Sequence, residues 1–391
     1  MRGKISFILS NPRHHAEILL PVVRELQADG QACHVISLAE LRGLTTPAWD
    51  ANGARIDRLL PVRRHAKGRP TTVRSDQVPR FDLRRLAQRA VWTAAVGPRL
   101  RWLLRGSSAV VIPNDAVFPY LQLVHSLRSR DVPFVLVQEG IRFKLPCDDE
   151  AAYGRNGAHA VCAWGQGSAE YFRSIGVPAD RVQVTGNPRF DSVDPAYWKQ
   201  EGEKSLAALG LGVAPLLFLS NPIELQGYGT VEFKLGLFAT FLREARPTLE
   251  LLGVPLVVKL HPHENPDDFR AEAAKIGMTI SVSVNESLFA LLAIARAAVV
   301  MASTVGLEAL VFGLPLAVLQ IPNHGFAFEY VDRGAALGLV PGSIHHGLSE
   351  LLAGSRQTQG TADAFVERHL SNRGSAKQRV SEAILSVVGS C

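Results

Sequence analysis

Short apolar runs alternate with longer segments of helical periodicity along the whole chain. The runs are rich in Val, Ile and Leu, which is typical of parallel strands covered by helices on both faces. The first helix is predicted at Ala16–Ala28, where Gly30 ends it. In the first half of the sequence, strands are predicted at Ile5–Ser10, Cys33–Leu38, Ala109–Pro113, Phe134–Gln138, Ala160–Trp164 and Val182–Thr185.

A second series of the same kind begins after Gly212. Helices such as Val231–Leu242 and Phe289–Arg296 separate its strands. Between the two series, the charged segment Asp191–Lys204 is typical of a connection between domains. The strands of the second series are predicted at Leu216–Ser220, Leu256–Leu260, Ile280–Val284, Ala298–Met301 and Leu316–Gln320.

The length of 391 residues exceeds what one hydrophobic core usually serves, so two domains are expected. We predict an α/β protein with one Rossmann-like domain at residues 1–190, a second at 205–370 and a C-terminal helix at 371–391. The first domain would bind the acceptor of a reaction and the second its nucleotide. Two parallel sheets that face each other place the carboxyl ends of their strands on one interdomain cleft, where ligands bind in folds of this class.

Basic residues concentrate in one part of the chain. The net charge is +6, but residues 55–105 contain 14 Lys and Arg against three Asp, so this segment carries +11 and the remainder −5. Such confinement favours a local anionic partner over nucleic acid. Within 81–105, Arg residues interleave with Trp and Leu, which suits a segment lying on anionic lipid. A domain helix with a solvated basic face and a groove for a polyanionic acceptor glycan fit the same residues.

No signal peptide and no membrane-spanning segment are predicted. The apolar run Ile5–Leu9 is followed by Asn11-Pro12 and not by a small-residue cleavage site. The apolar stretch Leu288–Met301 contains Arg296 and is shorter than the roughly 20 residues that a bilayer requires. The four cysteines lack metal-ligand spacing, which fits a reducing compartment. A cytoplasmic protein is expected, peripheral at the inner face of the membrane if the basic segment binds lipid.

Two motifs follow predicted strands of the second domain. Lys259–Pro262 (KLHP) ends one strand, and Ala302–Ala309 (ASTVGLEA) follows another. Ser303 and Thr304 should open a helix, where free N–H groups and hydroxyls form a site for phosphate. Glu308 lies one turn further on and would reach ribose hydroxyls. The structural alternative is that Ser303 and Thr304 only cap a core helix and that His261 is held in a polar turn.

Candidate bases for proton transfer lie in the first domain. Glu139 follows a strongly apolar strand and precedes a glycine, a position that favours a functional carboxylate at the cleft. His14 and His15 occupy the first loop between a strand and a helix, and Asp115 follows another apolar strand. Histidines near a helix start are often only polar caps, so the choice among the four residues stays open.

Further side chains suit the anionic groups of a ligand. Arg142, Asn187 and Arg189 could contact a sugar or a phosphate, although an Asn-Pro dipeptide also shapes turns. Lys259 could neutralise a leaving diphosphate. No Asp-x-Asp pair follows an apolar strand, and the acidic run 148–150 lies in a polar loop, so no bound metal ion is expected.

The motifs of the second domain resemble those of the capsule-polysaccharide and polysialic-acid glycosyltransferases of the GT-B superfamily. The resemblance rests on His261-Pro262 after a strand, then on Ser303–Leu310 (STVGLEAL) and Phe312–Pro315 (FGLP). In that family the His-Pro and Ser/Thr motifs bind the nucleotide phosphates. The resemblance therefore implies this role for His261, Ser303 and Thr304, in an enzyme that needs no metal.

The first half resembles a second family of the same architecture. Val137–Arg142 (VQEGIR) and Val184–Asp191 (VTGNPRFD) are similar to segments of non-hydrolysing UDP-N-acetylglucosamine 2-epimerases, and Asp115 falls where those enzymes keep an acidic residue. The epimerases carry a His-Arg-Arg-Glu-Asn stretch after the first strand of their second domain, whereas this chain has Ser220–Glu224 (SNPIE). The missing histidine argues against epimerase chemistry.

The sequence thus predicts a glycosyltransferase of polysaccharide biosynthesis. It would move a sugar from a nucleotide-sugar donor to a hydroxyl of a surface glycan, a lipid-linked acceptor or a small molecule. The donor is a substrate, and no cofactor is expected. A nucleotide-sugar 2-epimerase or hydrolase is the alternative enzyme, and a non-catalytic nucleotide-binding scaffold for envelope-polysaccharide assembly is the alternative outside catalysis.

Overall fold

The computed structural model of the protein describes residues 3–42, 44–47, 49, 53–59, 92–141, 153–262, 264–354 and 359–390. Within these residues the chain forms two parallel β-sheets, one of seven strands and one of six, each with helices packed against it. None of the helices in this part of the chain combines the length and the apolar composition that crossing a bilayer requires.

The first sheet has the strand order β3-β2-β1-β4-β5-β6-β7. Its central strands are apolar and buried along almost their whole length, as expected for a sheet covered on both faces. The direction of the strand order reverses between β1 and β4, which is where ligands bind in doubly wound sheets. The strands are β1 (Lys4–Leu9), β2 (Cys33–Ser37), β3 (Arg55–Arg58), β4 (Ser107–Ile112), β5 (Phe134–Val137), β6 (Ala160–Ala163) and β7 (Val182–Val184).

Helix α1 (His14–Ala28) covers this sheet with a fully buried stripe that includes Ile18, Leu19 and Val22. Gly30, two residues after the end of α1, has a positive φ of 74°, a conformation that glycine adopts without strain. The other helices of this half are α2 (Gly97–Leu103), α3 (Tyr120–Arg128) and α4 (Gln166–Ser174).

The second sheet has the order β10-β9-β8-β11-β12-β13, and its reversal lies between β8 and β11. Its strands are β8 (Leu216–Leu219), β9 (Leu256–Lys259), β10 (Ser281–Ser283), β11 (Ala297–Val300), β12 (Leu316–Leu319) and β13 (Leu337–Leu339). Its helices are α5 (Pro195–Ala208), α6 (Val231–Leu252), α7 (Pro266–Lys275), α8 (Leu288–Ile294), α9 (Val305–Val311) and α10 (Ile344–Leu352).

The last two helices return to the first half of the protein. Helix α11 (Gln359–His369) contacts α9 and α4, and α12 (Ala376–Gly389) packs on α1 and on strands β4, β5 and β6. Asp191 fixes the start of α12, because its carboxylate accepts the backbone N–H groups of Gly374, Ala376 and Lys377. The C-terminal helix therefore belongs structurally to the first sheet.

The predicted α/β architecture of two Rossmann-like sheets is confirmed. All predicted strands exist with their ends within two residues of the prediction, but the sequence did not indicate β3 and β13. Strand β3 (Arg-Ile-Asp-Arg) is mostly polar, and β13 is only three residues long. The predicted connection Asp191–Lys204 is largely helical, since α5 begins inside it with Asp194 capping the first turn and packs against α8.

Candidate active site

Two loops flank the reversal point of each sheet, and five of the twelve predicted site residues lie on or directly after these four loops. His14 and His15 follow β1, while Asp115 follows β4. In the second sheet, Ser220 follows β8 and Ser303 follows β11. The carboxyl ends of the strands in both sheets thus carry polar side chains at the positions where ligands bind in this type of fold.

Glu139, just after β5, is the centre of a polar cluster in the first half. Its Oε2 lies 2.8 Å from Nε2 of His15, and its Oε1 accepts a hydrogen bond of 2.5 Å from Nδ2 of Asn114. Its backbone N–H donates to the hydroxyl of Tyr153 at 3.1 Å, so both the side chain and the main chain are held. The side chain is 23% exposed and therefore remains accessible.

The hydrogen bonds of His15 fix its tautomer. Its Nδ1 accepts the backbone N–H groups of Ser10 at 3.2 Å and Asn11 at 3.1 Å, so this nitrogen carries no proton. The ring proton is therefore on Nε2, which donates to Glu139. Both ring nitrogens of His15 are hydrogen-bonded, and its side chain is only 3% exposed. His15 can therefore orient the carboxylate of Glu139 but has no free nitrogen for a substrate proton.

Burial acts to raise the pKa of Glu139, but its hydrogen bond and electrostatic interaction with His15, together with the hydrogen bond from Asn114, outweigh burial and lower this pKa to about 2. The carboxylate is thus ionised at neutral pH. Each carboxylate oxygen accepts one of these side-chain hydrogen bonds and keeps a second lone pair. Glu139 can therefore accept a further hydrogen bond from a hydroxyl group in the cleft.

His14 approaches the same cluster from the other side. Its Nε2 lies 2.6 Å from the backbone carbonyl oxygen of Glu139, which can only accept, so Nε2 carries the proton and Nδ1 has the lone pair. Burial and the positive charge of Arg189 lower the pKa of His14 to about 4, although the Glu139 carbonyl and carboxylate oppose this shift. His14 is therefore a neutral imidazole at neutral pH.

Asp115 occupies a different environment from Glu139. It is 0% exposed, and its two carboxylate oxygens accept the backbone N–H groups of Gly154 at 2.8 Å and Asn156 at 3.1 Å. Burial raises its pKa, and these hydrogen bonds oppose the shift. This position gives Asp115 a role in fixing a turn and argues against its use as the catalytic base.

Lys259 is the last residue of β9, and His261 lies in the loop that follows it, at the edge of the second sheet. The ammonium group of Lys259 donates to the backbone carbonyl of Val284 at 2.8 Å. Burial lowers its pKa, an effect that Glu286 opposes and that the positive charge of Arg13 increases. Arg13 belongs to the loop after β1, so a charge from the first half of the protein acts on Lys259 in the second half.

Ser303 and Thr304 precede the short helix α9. Ser303 is 6% exposed, and its hydroxyl accepts the backbone N–H of Val305 at 3.3 Å. The buried hydroxyl of Tyr330 donates to the carbonyl of Ser303 at 3.2 Å. Gly306 lets this tyrosine approach, since a Cβ there would lie 2.8 Å from its ring. The hydroxyl of Tyr330 therefore fixes the turn that carries Ser303 and Thr304, the two predicted phosphate ligands.

Arg189 connects the two halves through a pair of carboxylates. Its Nη1 donates to Oε1 of Glu308 at 2.7 Å, and its Nε lies 2.7 Å from Oε2 of Glu17 in α1. The guanidinium also stacks over the ring of Phe289 at 4.3 Å. Sequence reasoning assigned Arg189 to a sugar or phosphate and Glu308 to ribose, whereas the structure pairs them with each other.

Asn187 and Arg142 are the remaining predicted ligands, and only Asn187 lies within the described residues. Asn187 is 1% exposed, and its Oδ1 accepts the backbone N–H of Arg189 at 3.0 Å, so it shapes the turn that carries this arginine. Arg142 and the acidic run 148–150 lie outside the described residues. Among the residues that are described, no group of three or more His, Cys, Asp or Glu side chains could hold a metal ion.

Three site residues were missed by sequence reasoning. Arg13 adjoins the predicted His14, and Asn114 adjoins the predicted Asp115, so both lie in segments that had already been selected. Glu264 accepts the backbone N–H of His261 at 2.9 Å and lies two residues beyond the KLHP motif. Their position after apolar strands was the available signal, but their contacts depend on residues distant in sequence.

No protein-family model and no curated protein sequence matches the chain. Solved structures do match it over nearly its full length. The UDP-GlcNAc 2-epimerase of Neisseria meningitidis bound to UDP-GlcNAc is 16% identical, with a TM-score of 0.63 over 98% of this chain and 100% of that one. A variant of the wall teichoic acid polymerase TagF is 14% identical, with a TM-score of 0.59 over 100% and 90%. HepE of Anabaena in complex with UDP-glucose is 13% identical, with a TM-score of 0.56 over 100% of both chains.

At these identities the likeness establishes the fold. The protein has the GT-B fold, with two Rossmann-like halves whose strand ends face a common cleft. The two resemblances noted in the sequence, to glycosyltransferases and to 2-epimerases of this architecture, agree with these structural neighbours.

Proposed function

We propose that this protein is a glycosyltransferase that moves a sugar from a uridine diphosphate sugar to a hydroxyl group of an acceptor. The observation that carries the proposal is the division of chemistry between the two halves. An ionised carboxylate, Glu139, is held by His15 and Asn114 at the first sheet, while hydroxyl and cationic donors occupy the edge of the second. The uridine diphosphate part of the donor is supported by the UDP-sugars bound to structural neighbours.

The reaction that suits this arrangement is an inverting transfer. The acceptor oxygen forms a bond to the anomeric carbon as the bond from that carbon to the diphosphate oxygen breaks, and its electron pair leaves with UDP. The proton of the acceptor hydroxyl passes to a base. We assign this role to Glu139, because it is ionised, partly exposed and fixed by His15.

His14 is the second candidate for the base. Its Nδ1 has the free lone pair of a neutral imidazole, and no hydrogen bond to this nitrogen is formed within the described part of the chain. Its Nε2–H donates to the carbonyl of Glu139, so a change at Glu139 that keeps the backbone in place leaves His14 oriented. Substitutions at the two positions can therefore be compared.

The negative charge that develops on the leaving UDP needs hydrogen-bond donors and cations. Ser303, Thr304 and His261 are the proposed phosphate ligands, and Lys259 with Arg13 supplies positive charge from the two sides of the cleft. Such a donor set stabilises a diphosphate without a metal ion.

Epimerisation of a UDP-sugar is the second candidate function, favoured by the likeness to the Neisseria enzyme. The segment after β8 argues against it. Ser220 donates to Glu264 at 2.8 Å and Asn221 donates to the backbone carbonyl of Ala302 at 2.6 Å, so these side chains brace neighbouring loops. Neither is a proton donor or acceptor of the kind that a histidine provides.

Incubation of the purified protein with UDP-sugars tests the proposal. With a UDP-sugar alone we expect little product, and with a panel of glycan and lipid-linked acceptors we expect release of UDP and formation of a glycoside. A new UDP-sugar isomer formed without acceptor would support the epimerase instead. Binding of UDP with neither product would favour the non-catalytic scaffold.

A further inference from the structure

A buried cluster of charged and polar side chains lies behind the loop that carries His261. Lys234 of α6 is 2% exposed, and Glu264, between β9 and α7, is 8% exposed. They form an ion pair with 2.8 Å between Nζ and Oε1. The residues proposed above to bind the donor do not include either of them.

Lys234 lies at a position of α6 where the helical periodicity predicts an apolar residue. Together with Leu237, Phe238 and Phe241 it has the spacing of the buried stripe of α6. Its ammonium group lies 5.9 Å from the centre of the Phe269 ring, inside this core. Burial of an ion pair seldom improves stability over well-packed apolar side chains, so the presence of this pair requires another explanation.

Glu264 is the hub of the cluster. Its Oε2 accepts the backbone N–H of His261 at 2.9 Å, and its own N–H donates to the carbonyl of His261 at 2.9 Å. Its Oε1 accepts hydrogen bonds from the hydroxyl of Ser220 and from Lys234, each at 2.8 Å. One carboxylate therefore joins the end of β9, the end of β8 and the first turn of α6 on its core-facing side.

We infer that Glu264 is a positioning residue for the diphosphate of the donor. It fixes the main chain of His261 relative to the reversal point between β8 and β11, where Ser303 and Thr304 lie, and Lys234 holds its carboxylate in place. This inference rests on the proposed binding of a UDP-sugar to the second domain.

The substitution Glu264→Gln separates positioning from packing. The amide has the same size but only one acceptor oxygen, so it can serve the His261 N–H or the two donors Ser220 and Lys234, but not both sets. We expect the dissociation constant for UDP, measured by calorimetry at a temperature where the variant is fully folded, to rise about tenfold. The Michaelis constant for the UDP-sugar should rise more than the turnover number falls.

Glu244→Gln is the matched control. This carboxylate also accepts backbone N–H groups, those of Gly342 and Ile344, but it lies on α6 ten residues beyond Lys234, which is a rise of about 15 Å along the helix axis. Its loss should lower the melting temperature without changing UDP binding. If Glu264→Gln does not fold, Ser220→Ala removes one donor to Glu264 and should raise the dissociation constant about threefold.

Unchanged UDP affinity in a folded Glu264→Gln or Ser220→Ala variant would overturn the inference and leave the cluster with a structural role only. A wild-type protein that does not bind UDP would instead contradict the proposed function. The two failures are distinguishable, because the second is seen before any variant is made.

Discussion

The two sheet edges that form the cleft use polar side chains in different ways. At the first edge, each carboxylate oxygen of Glu139 accepts a hydrogen bond, and both ring nitrogens of His15 are hydrogen-bonded. His14 is held through its Nε2. At the second edge, Tyr330 and Glu264 hold backbone groups of Ser303 and His261.

This difference matches the different demands of proton transfer and anion binding. A general base must have a defined protonation state and direction, which side-chain hydrogen bonds provide. A diphosphate needs several donors at once, and a fixed main chain leaves side-chain hydroxyls and cations available for it. The comparison therefore predicts that substitutions at the first edge affect turnover and those at the second affect nucleotide affinity.

The largest effect is expected for Glu139→Gln. The amide keeps the size of the side chain and can still accept from His15, but it cannot take a proton from the acceptor. Turnover should fall by two or more orders of magnitude, the usual contribution of general base catalysis. The dissociation constant for UDP should stay within about twofold of the wild type, as measured by calorimetry.

The same variant tests the pKa of Glu139 through stability. Because the pKa falls from its ordinary value of 4.5 to about 2 in the folded protein, the carboxylate stabilises the fold above pH 4.5, and this contribution is lost as the pH falls from 4.5 toward 2. Between these values the wild type should lose stability more steeply than Glu139→Gln. Near-normal turnover in a folded variant would move the assignment of the base to His14.

How much the sequence predicts depends on the range of the interaction. Apolar runs identify the strands, and polar residues directly after them identify Glu139 and Ser303, because both signals are local. The pair Arg189 and Glu308 is separated by 119 residues in the chain. Each of the two looked like a separate ligand-binding residue, and only the packing of the two halves shows that they bind each other.

Asp115 illustrates the same limit within one half. Its position after an apolar strand is as favourable as that of Glu139, and nothing in the local sequence separates the two. In the structure the two differ, because the carboxylate of Asp115 accepts the backbone N–H of Gly154 and so fixes a turn. A segment some forty residues later decides whether the carboxylate faces the cleft or binds a turn. The pattern of apolar strands does not predict the position of that segment.

An intermediate effect is expected at the second edge. Ser303→Ala and His261→Ala should each weaken UDP binding by about 1 to 3 kcal/mol, the range for hydrogen bonds to a charged group. Turnover at saturating donor should change less than it does in Glu139→Gln. The measurement is calorimetry with UDP, and Thr240→Ala, an exposed hydroxyl of α6, is the control.

A folded double variant of Ser303 and His261 with unchanged UDP affinity would exclude these residues as phosphate ligands. It would also remove the contrast between the two edges, since anion binding would then have to come from the first half, for example from Arg13 or Arg189. Calorimetry on variants of those arginines would locate it.

The smallest effect concerns the basic segment 81–105, of which residues 92–105 are described. Leu100 and Leu103 are buried in the first domain, so they are unavailable to lipid, whereas Trp102 is 47% exposed with Arg99 stacked at 4.6 Å. Arg101 and Arg105 are also exposed. Residues 92–105 contain one exposed aromatic side chain and three arginines. Because each cation contributes about 1 kcal/mol near an anionic surface, we expect these residues to give weak binding to anionic vesicles that salt abolishes.

Sedimentation with vesicles measures this binding. The double variant Arg101→Gln and Arg105→Gln should reduce it. Arg243→Gln, at an exposed position of α6, is the control and should leave it unchanged. Equal and negligible sedimentation with neutral and anionic vesicles at low salt would rule out the lipid surface. The same arginines would then be tested as part of an acceptor groove, because a polyanionic glycan would be attracted by the same charges. In that case the Michaelis constant for the acceptor should rise with salt and that for the donor should change little, which places the basic segment on the acceptor side of the cleft.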